Sequence, residues 1–431
     1  MYIAQQIAAR AVSQVLAGRN LNVALDAALH ERHDLEPQQR AAARDLSYGT
    51  LRFYGESQAL LAQLLQKPLA DAQLHGLLLV GRYQLNHDQA APHTVVDQAV
   101  KAAGASSSKP WAKSLVNGVL RNFLRRRELL MQDIASNEAA HYAYPQWWID
   151  KLRQQYPEHW QAMLGAGNAQ PPMTLRVNRR QCNPVRYQDE LAQAGIESHV
   201  LGSQALMLAR PLHVDKLPGF AQGRVSVQDY GAQLAAELLD VQPGQRVLDA
   251  CCAPGGKTGH VLELAEVNMT AVDSDAARLD RTRSNLLRLG LPAQLLVGDA
   301  ATPAGWWDGK PFDRILADVP CTASGIVRRH VDIKWLRREA DVASFARQQA
   351  TILHSLWQLL AKGGKLLYAT CSIFHEENQQ QVDEFLGRQT DAAQLPLNLE
   401  SEKTSLINQQ QGQLRPCAEH DGFYYALLQK N

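Results

Sequence analysis

Apolar residues at Ile3, Ile7, Ala11 and Val15, and again at Val23, Leu25 and Leu29, recur at the spacing of one helix face. Nothing from residue 1 to about 135 alternates as a strand would, so the first segment is predicted to be an all-helical bundle. Pro37, Pro68, Pro92 and Pro110 fall where helices would begin or break, which gives about six helices. The last is expected from Trp111 to Met131, and its far end carries Arg125, Arg126 and Arg127.

From about Tyr142 to Tyr230 the pattern changes to short helices mixed with short strands. Tyr144-Pro145-Gln146-Trp147-Trp148 opens a helix, Met173 to Asn178 reads as a strand, and Asn183-Pro184 is a cap and first turn for a helix ending at Gly195. Further strand-like pieces at 198–201, 205–208 and 225–228 suggest a compact α+β sheet with two helices on one face. After Gly231 apolar strands and amphipathic helices alternate: strands at 246–250, 269–273, 294–297, 313–317 and 366–369, with helices after Lys257, at 276–289 and at 342–360. That alternation predicts a doubly wound, mostly parallel sheet. A last strand, 423–428, follows the turn pair Asp421-Gly422.

The chain has 431 residues, 45% of them hydrophobic and 20% charged, enough for two or three separate cores. Its apolar runs are broken by charge well before the ~18 residues of a membrane span, and Arg10 stands where a secretory signal would be apolar. Met1 to Leu25, with Arg10 and Arg19 and no acid, has the composition of a mitochondrial presequence, but the helical period continues through it into later helices. Six cysteines (Cys182, Cys251, Cys252, Cys321, Cys371, Cys417) show no metal-ligand spacing and are expected to be reduced in a soluble cytoplasmic protein. The net charge of +1 conceals seven bases and no acid between Gln98 and Arg127, so a nucleic-acid partner is not excluded.

The loop after the first strand of the parallel sheet runs Asp249-Ala250-Cys251-Cys252-Ala253-Pro254-Gly255-Gly256-Lys257. It lacks the glycine spacing of dinucleotide enzymes and the Gly-Lys-Ser/Thr of phosphate loops. Two glycines at a strand-to-helix turn let a ligand approach the backbone, and a helix N-terminus with Lys257 would attract a carboxylate. An amino-acid-bearing nucleoside fits that description. Asp273, 17 residues beyond Gly256, stands roughly where an acid takes ribose hydroxyls. Asp299 ends the next strand, within reach of an adenine edge. Each acid alone reads more simply as a cap or turn residue, but Asp249, Asp273, Asp299 and Asp318 at successive strand ends would line one crevice.

Asp318-Val319-Pro320-Cys321 and Ala369-Thr370-Cys371-Ser372 each place a cysteine just past a strand at that same edge. A buried cysteine is usually a small hydrophobe, the simpler reading for Cys182, Cys417 and Cys252. Cys321 and Cys371 are instead flanked by Thr322, Thr370 and Ser372, where hydroxyls and a helix terminus could stabilise a thiolate. Two thiols beside a nucleoside-type site suggest covalent catalysis, as needed to methylate an inert pyrimidine carbon. Arg121 with Arg125 to Arg127, Arg176 with Arg179 and Arg180, and Arg328-Arg329 with Lys334, Arg337 and Arg338 each read alone as a solvated helix face but together could form a phosphate track. Trp147, Trp148 and Trp335 could stack bases, although core packing is expected for at least one of Trp147 and Trp148.

The segments 249–257, 318–321, Arg328-Arg329-His330, 332–335 and Tyr368-Ala369-Thr370-Cys371-Ser372 resemble the signature of the Sun-type RNA cytosine-5 methyltransferases. The resemblance covers the whole chain and implies a NusB-like helical RNA-binding domain (1–138), a small RRM-like α+β module (139–230) and a Rossmann-like S-adenosylmethionine domain (231–431). It implies that Cys371 is the nucleophile on carbon 6 of cytosine, that Cys321 helps release the product, and that Asp318 lies near the ring. It also implies that Cys251, Cys252, Ala253, Pro254, Gly255, Gly256, Lys257, Asp273, Asp299 and Asp318 hold S-adenosylmethionine, with no metal. The implied partner is 16S ribosomal RNA before full subunit assembly, met by a monomer with no membrane association. The sequence departs from the family at Cys252, Val319, Thr322 and Val331, none of which removes a reacting group. Two rival readings remain: a DNA cytosine-5 methyltransferase using Cys321, and a non-catalytic RNA-binding or assembly factor.

Overall fold

Side-chain caps start the N-terminal helices. Asn20 accepts from the Asn22 and Val23 amides, Asp71 from the Leu74 amide, and Asn137 from the Ala140 amide, while Glu36 and Gln39 form a reciprocal capping box ahead of Pro37. In the computed structural model, which describes residues 1–32, 35–88, 90–106, 109–399 and 412–431, the chain divides into two units. One comprises Met1–Ala169 with Val327–Glu339, and the other Gln170–Ile326 with Ala340–Asn431.

In the first unit the helices run Tyr2–Leu16, Leu21–His30, Pro37–Arg52, Tyr54–Leu64, Ala72–His87, Pro92–Ser106 and Trp111–Asp133, followed by three shorter ones to Asn168. The described residues thus give seven helices by position 133, against about six expected, because the chain breaks at Phe53 (φ −111°, ψ 28°) where no proline marks it. Gly55 sits just beyond the break. A Cβ there would lie 2.5 Å from the Ala139 carbonyl oxygen, so glycine permits the close approach. Ile7, Val12, Leu46, Leu78, Val116 and Phe123 fill the core, and Val331, from the distant segment 327–339, is wholly buried among them. Asp332 caps the Leu21–His30 helix by accepting from the Leu21 amide (2.9 Å) and the Asn20 amide nitrogen Nδ2 (3.0 Å).

Lys334 is fully buried in this unit. Its ammonium donates to the Arg52 carbonyl (2.7 Å), the Ala143 carbonyl (2.9 Å) and Asn168 Oδ1 (2.8 Å), and lies 4.3 Å from the Tyr144 ring centroid. Burial and Arg52 push its pKa well below the usual lysine range, while the three acceptors and the ring face favour the charged form. The expectation that Arg328 and Lys334 present a basic surface is therefore corrected, since both are buried. Trp335, half-buried, packs edge-on to Tyr54 and donates to the Leu51 carbonyl, and Trp148 is core, as expected for at least one of Trp147 and Trp148.

The second unit holds two sheets. Strands β1 (Met173–Val177), β2 (Ser198–Val200), β3 (Ala205–Leu208) and β4 (Val225–Val227) form an antiparallel sheet in the order β2-β3-β1-β4. Helix Pro184–Gln193 covers it, capped by Asn183 on the Arg186 amide as expected, and buries Tyr187 and Leu191 against Leu175, Val177 and Leu206. Of the two helices expected beside this sheet, the one opening at Tyr144-Pro145 (Gln146–Gln155) belongs instead to the first unit, and a single 3₁₀ turn, Val214–Lys216, lies between β3 and β4.

The larger sheet contains β5 (Arg246–Ala250), β6 (Asn268–Asp273), β7 (Gln294–Val297), β8 (Phe312–Asp318), β9 (Leu360–Thr370), β10 (Ala392–Leu395), β11 (Gln413–Leu414) and β12 (Phe423–Lys430). Its order is β10-β12-β9-β8-β5-β6-β7, with β11 on β12. The five strands β5 to β9 are parallel, and β12 enters antiparallel beside β9. Alternate residues feed two cores. Val247, Leu316 and Leu367 meet helices 230–238, 256–264 and 276–289 on one face, while Leu248, Ile315 and Leu366 meet helices 339–358 and 379–388 on the other. The chain reverses direction across the sheet at β5 and β8, the place where open α/β sheets bind ligands.

Candidate active site

The loop after β5 is shaped by backbone needs. Cys251 adopts φ +62° and Gly255 φ +85°, and a Cβ on Gly255 would lie 2.7 Å from Thr282 Cγ2, so that position requires glycine. The Cys252 amide donates to the Val272 carbonyl (3.0 Å), which ties the loop to β6. Asp273, at the end of β6, accepts from the Ala253 amide (3.1 Å) and the Asp275 amide (3.0 Å). Burial pushes the Cys251 and Cys252 thiols up, and neighbouring carboxylates push them further, so both are neutral.

Asp249 is buried inside β5. One oxygen accepts from Thr258 Oγ1 (2.6 Å), and Oδ1 has no hydrogen-bond partner. Burial, helped by the Asp318 and Asp273 charges, raises its pKa to about 7 in spite of that bond and of Lys257. Lys257 donates to Asp318 Oδ2 (2.6 Å) and is held charged by Asp318 and Cys371 against the cost of burial. Its charge is thus already met within the chain, where the sequence suggested a ligand carboxylate. Asp249, Asp273 and Asp318 form one acidic group. Asp299 stands exposed two residues past β7, its carboxylate accepting from the Ala301 amide.

The strands β8 and β9 pair so that Asp318 faces Ala369, and the two chains then leave the sheet side by side. The Val319 amide donates to the Ala369 carbonyl (3.1 Å) and the Gly325 amide to the Cys371 carbonyl (2.8 Å). This brings the sulfurs of Cys321 and Cys371 within 3.3 Å of each other. Cys321 is buried and Cys371 half-buried. Cys371 foremost, then burial and Glu377, raise the Cys321 pKa well above the usual thiol value. The anticipated stabilisation of a Cys321 thiolate by nearby hydroxyls is corrected, because the Thr322 and Ser372 hydroxyls donate to Glu377 (2.5 Å each). No α-helix starts after Cys321 either; residues 324–326 form a 3₁₀ turn.

Glu377 was not foreseen. It carries no sequence signal apart from its place in the run His375-Glu376-Glu377-Asn378, yet it is fully buried beneath both cysteine loops. Arg176 was placed on a basic surface and is instead buried. It donates bidentately to Glu263 (2.9 and 2.7 Å), to Gln228 Oε1 (2.5 Å) and to the Gly256 carbonyl (2.8 Å) at the start of the helix after the cofactor-type loop. Arg121 and Arg125 to Arg127 are exposed, as are Arg179 and Arg180. Among the described residues no group of three or more His, Cys, Asp or Glu could hold a metal ion, and no helix is long and apolar enough to cross a membrane.

Residues 3–125 match the NusB family, 144–215 the RsmF/B-like ferredoxin-like domain, and 236–429 the family 16S rRNA methyltransferase RsmB/F. The chain is 45% identical to the ribosomal RNA small subunit methyltransferase B of Pseudomonas syringae pv. tomato, over 98% of this chain and 96% of the relative. It is 44% identical to the protein of that name from Vibrio cholerae, with the same coverage. The crystal structure of PH0851 superposes with a TM-score of 0.81 over 100% of this chain and 99% of the other, at 24% identity, and shares its fold. A methyltransferase homologue from Pyrococcus horikoshii gives a TM-score of 0.58 at 26% identity, covering 68% of this chain and 97% of the other. Identity sustained across all three segments and nearly the full length means that this chain belongs to the 16S rRNA methyltransferase RsmB/F family.

Proposed function

We propose that this chain methylates carbon 5 of a cytosine in small-subunit ribosomal RNA, with S-adenosylmethionine as donor and a covalent adduct on Cys371. The observation that carries the reading is the pair of sulfurs 3.3 Å apart at the ends of β8 and β9, beside the acid-lined loop after β5. Carbon 5 of cytosine is a poor nucleophile until a group adds to carbon 6. Cys371, the more exposed thiol, suits that addition, while Cys321, buried and held as a thiol, suits proton delivery. The reverse assignment, with Cys321 as nucleophile, is disfavoured by the same burial.

The residues around the loop fit the donor. Asp249 Oδ1 is buried without a partner, and a Cβ on Gly256 would meet nothing nearer than 3.9 Å, so the backbone there is open to a ligand. Cys251 to Lys257, Asp273, Asp299 and Asp318 would hold it. When bound, S-adenosylmethionine supplies an electrophilic methyl group on a sulfonium centre. Cys371 as thiolate forms the bond to carbon 6, and the electron pair so placed on carbon 5 takes the methyl. The carbon-5 proton passes to a base, for which Asp318 is stationed at the end of β8. The double bond re-forms, the carbon–sulfur electron pair returns to Cys371, and Cys321 gives its proton to the departing sulfur. One proton is released to solvent overall.

Residues 1–138 and 139–230 would grip the RNA, and exposed Arg121, Arg125, Arg126 and Arg127 supply phosphate contacts. A target base inside a finished subunit would have to be flipped out, so RNA short of full assembly is the substrate in this reading. The test is denaturing electrophoresis after incubation with unmethylated small-subunit RNA and S-adenosylmethionine. Cys321→Ala should accumulate a methylated protein–RNA band and Cys371→Ala should give none. A band from Cys371→Ala alone would reverse the two roles.

A further inference from the structure

We propose that Glu377 is a positioning residue that fastens the loop carrying Cys321 to the loop carrying Cys371 and thereby sets the separation of the two thiols. The inference rests on the reading of those thiols given above. Glu377 follows β9 by seven residues and has no exposed surface. Its Oε1 accepts from the Thr322 amide (2.8 Å) and Gln349 Nε2 (3.1 Å), and its Oε2 from Thr322 Oγ1 (2.5 Å) and Ser372 Oγ (2.5 Å). Thr322 directly follows Cys321, and Ser372 directly follows Cys371. One carboxylate therefore holds the residue next to each thiol, from loops 50 positions apart.

The anchor is itself fixed. Tyr368 on β9 donates to the Glu377 carbonyl (2.7 Å), so the backbone of the staple is tied to the sheet that launches the Cys371 loop. Gln349 also donates to the Pro320 carbonyl (2.9 Å), which brings helix 339–358 into the same web. Ser324 Oγ, 3.0 Å from Ser372 Oγ, accepts from the Ile373 amide (2.9 Å) and forms a second, weaker tie between the loops. The two partners of Oε1 can only donate, so a glutamine would have to put its NH₂ at the Oε2 position, where the Thr322 and Ser372 hydroxyls would turn to accept and two charge-assisted bonds would become weaker neutral ones. An aspartate would fall one methylene short. The buried negative charge also faces Cys321 and helps to keep it a thiol.

The experiment compares wild type with Glu377→Gln and, as a milder loosening that keeps the carboxylate, Ser372→Ala. Thiol spacing is read on the free protein with dibromobimane, which bridges only closely spaced thiols, the Cys321–Cys371 bridge being located by peptide mass spectrometry. Methylation is read as kcat and KM for RNA. The expected result is a lower bridging yield in both variants, a kcat reduced ~100-fold in Glu377→Gln, and KM for RNA unchanged. The alkaline limb of the pH profile should move to lower pH in Glu377→Gln, a change that loss of packing alone would not produce. Wild-type bridging in both variants overturns the proposal, whether or not turnover falls. Reduced bridging in a protein that never methylates cytosine would leave the positioning role standing and remove the proposed reaction. If Glu377→Gln does not fold, Ser372→Ala decides by the same bridging measurement.

Discussion

Arg176 on β1 and Glu263 on the helix after the cofactor-type loop form a bidentate ion pair, 2.9 and 2.7 Å, with both side chains at most 1% exposed. The same guanidinium reaches the Gly256 carbonyl, so the small antiparallel sheet bears directly on the loop that is proposed to hold the methyl donor. Breaking a buried pair strands the surviving charge, whereas replacing both partners with apolar groups can be nearly neutral. Arg176→Met and Glu263→Gln should each cost ~3–5 kcal/mol in denaturant unfolding. The double variant Arg176→Met with Glu263→Leu should recover most of that loss.

Asp249 gives a pH dependence with a definite sign. Its folded pKa of about 7 lies above the unfolded carboxyl value, so the folded state holds the proton more tightly. Its stabilising contribution is complete below the unfolded value and is lost as pH rises from about 4 to about 7. Asp249→Asn removes that loss. Its melting temperature at pH 8 should equal or exceed that of wild type, while its affinity for S-adenosylmethionine in calorimetry falls at least ~10-fold through the missing carboxylate.

The two reactive-type thiols should respond differently to alkylation. Cys371 is half-buried, whereas Cys321 is buried and raised well above the usual thiol pKa. Iodoacetamide at neutral pH, followed by peptide mass spectrometry, should label Cys371 first. Preferential labelling of Cys321 would contradict the assignment of roles.

Lys334 predicts a stability effect within the helical unit. Lys334→Met leaves the Arg52 and Ala143 carbonyls and Asn168 Oδ1 without their donor, at ~3 kcal/mol or more in all. Differential scanning calorimetry should show the loss in the helical unit's transition.

Exposed and buried arginines should separate in RNA binding. Replacing Arg125, Arg126 and Arg127 together by alanine should weaken binding and lower the slope of log K against log salt by ~2, since each phosphate contact on single-stranded RNA contributes ~0.7. Filter binding across a salt series measures both.

The contrast between Arg176 and Arg125 also explains what the sequence could convey. Charge type is legible in sequence, but neutralisation is not. Glu263 lies 87 positions from Arg176, and the oxygens that take Lys334 belong to residues more than 160 positions upstream. The parallel strands and the cysteines past β8 and β9 were legible because apolar runs and the residues that end them are local features. Helix Gln379–Arg388 was missed: it begins with three glutamines, and its apolar side is short, with Val382 and Phe385 buried and Leu386 partly so. Strand β10, Ala392–Leu395, has no β-branched residue, and its pairing with β12 supplies what local propensity does not. Glu377 was invisible for the same reason as Glu263, since its donors come from three separate elements.

The discontinuity of the helical unit has a bearing on synthesis. Its core takes in Val331, and its buried ammonium is Lys334, yet residues 170–326 must be made between the end of its first stretch and the arrival of those groups. At 5–20 residues per second that interval is roughly 8–30 s. Throughout it the Ala143 and Asn168 acceptors have been made but their lysine has not. The first part of the chain to leave the ribosome is thus among the last to be completed, and a helper that shelters exposed apolar helices would have its longest opportunity there.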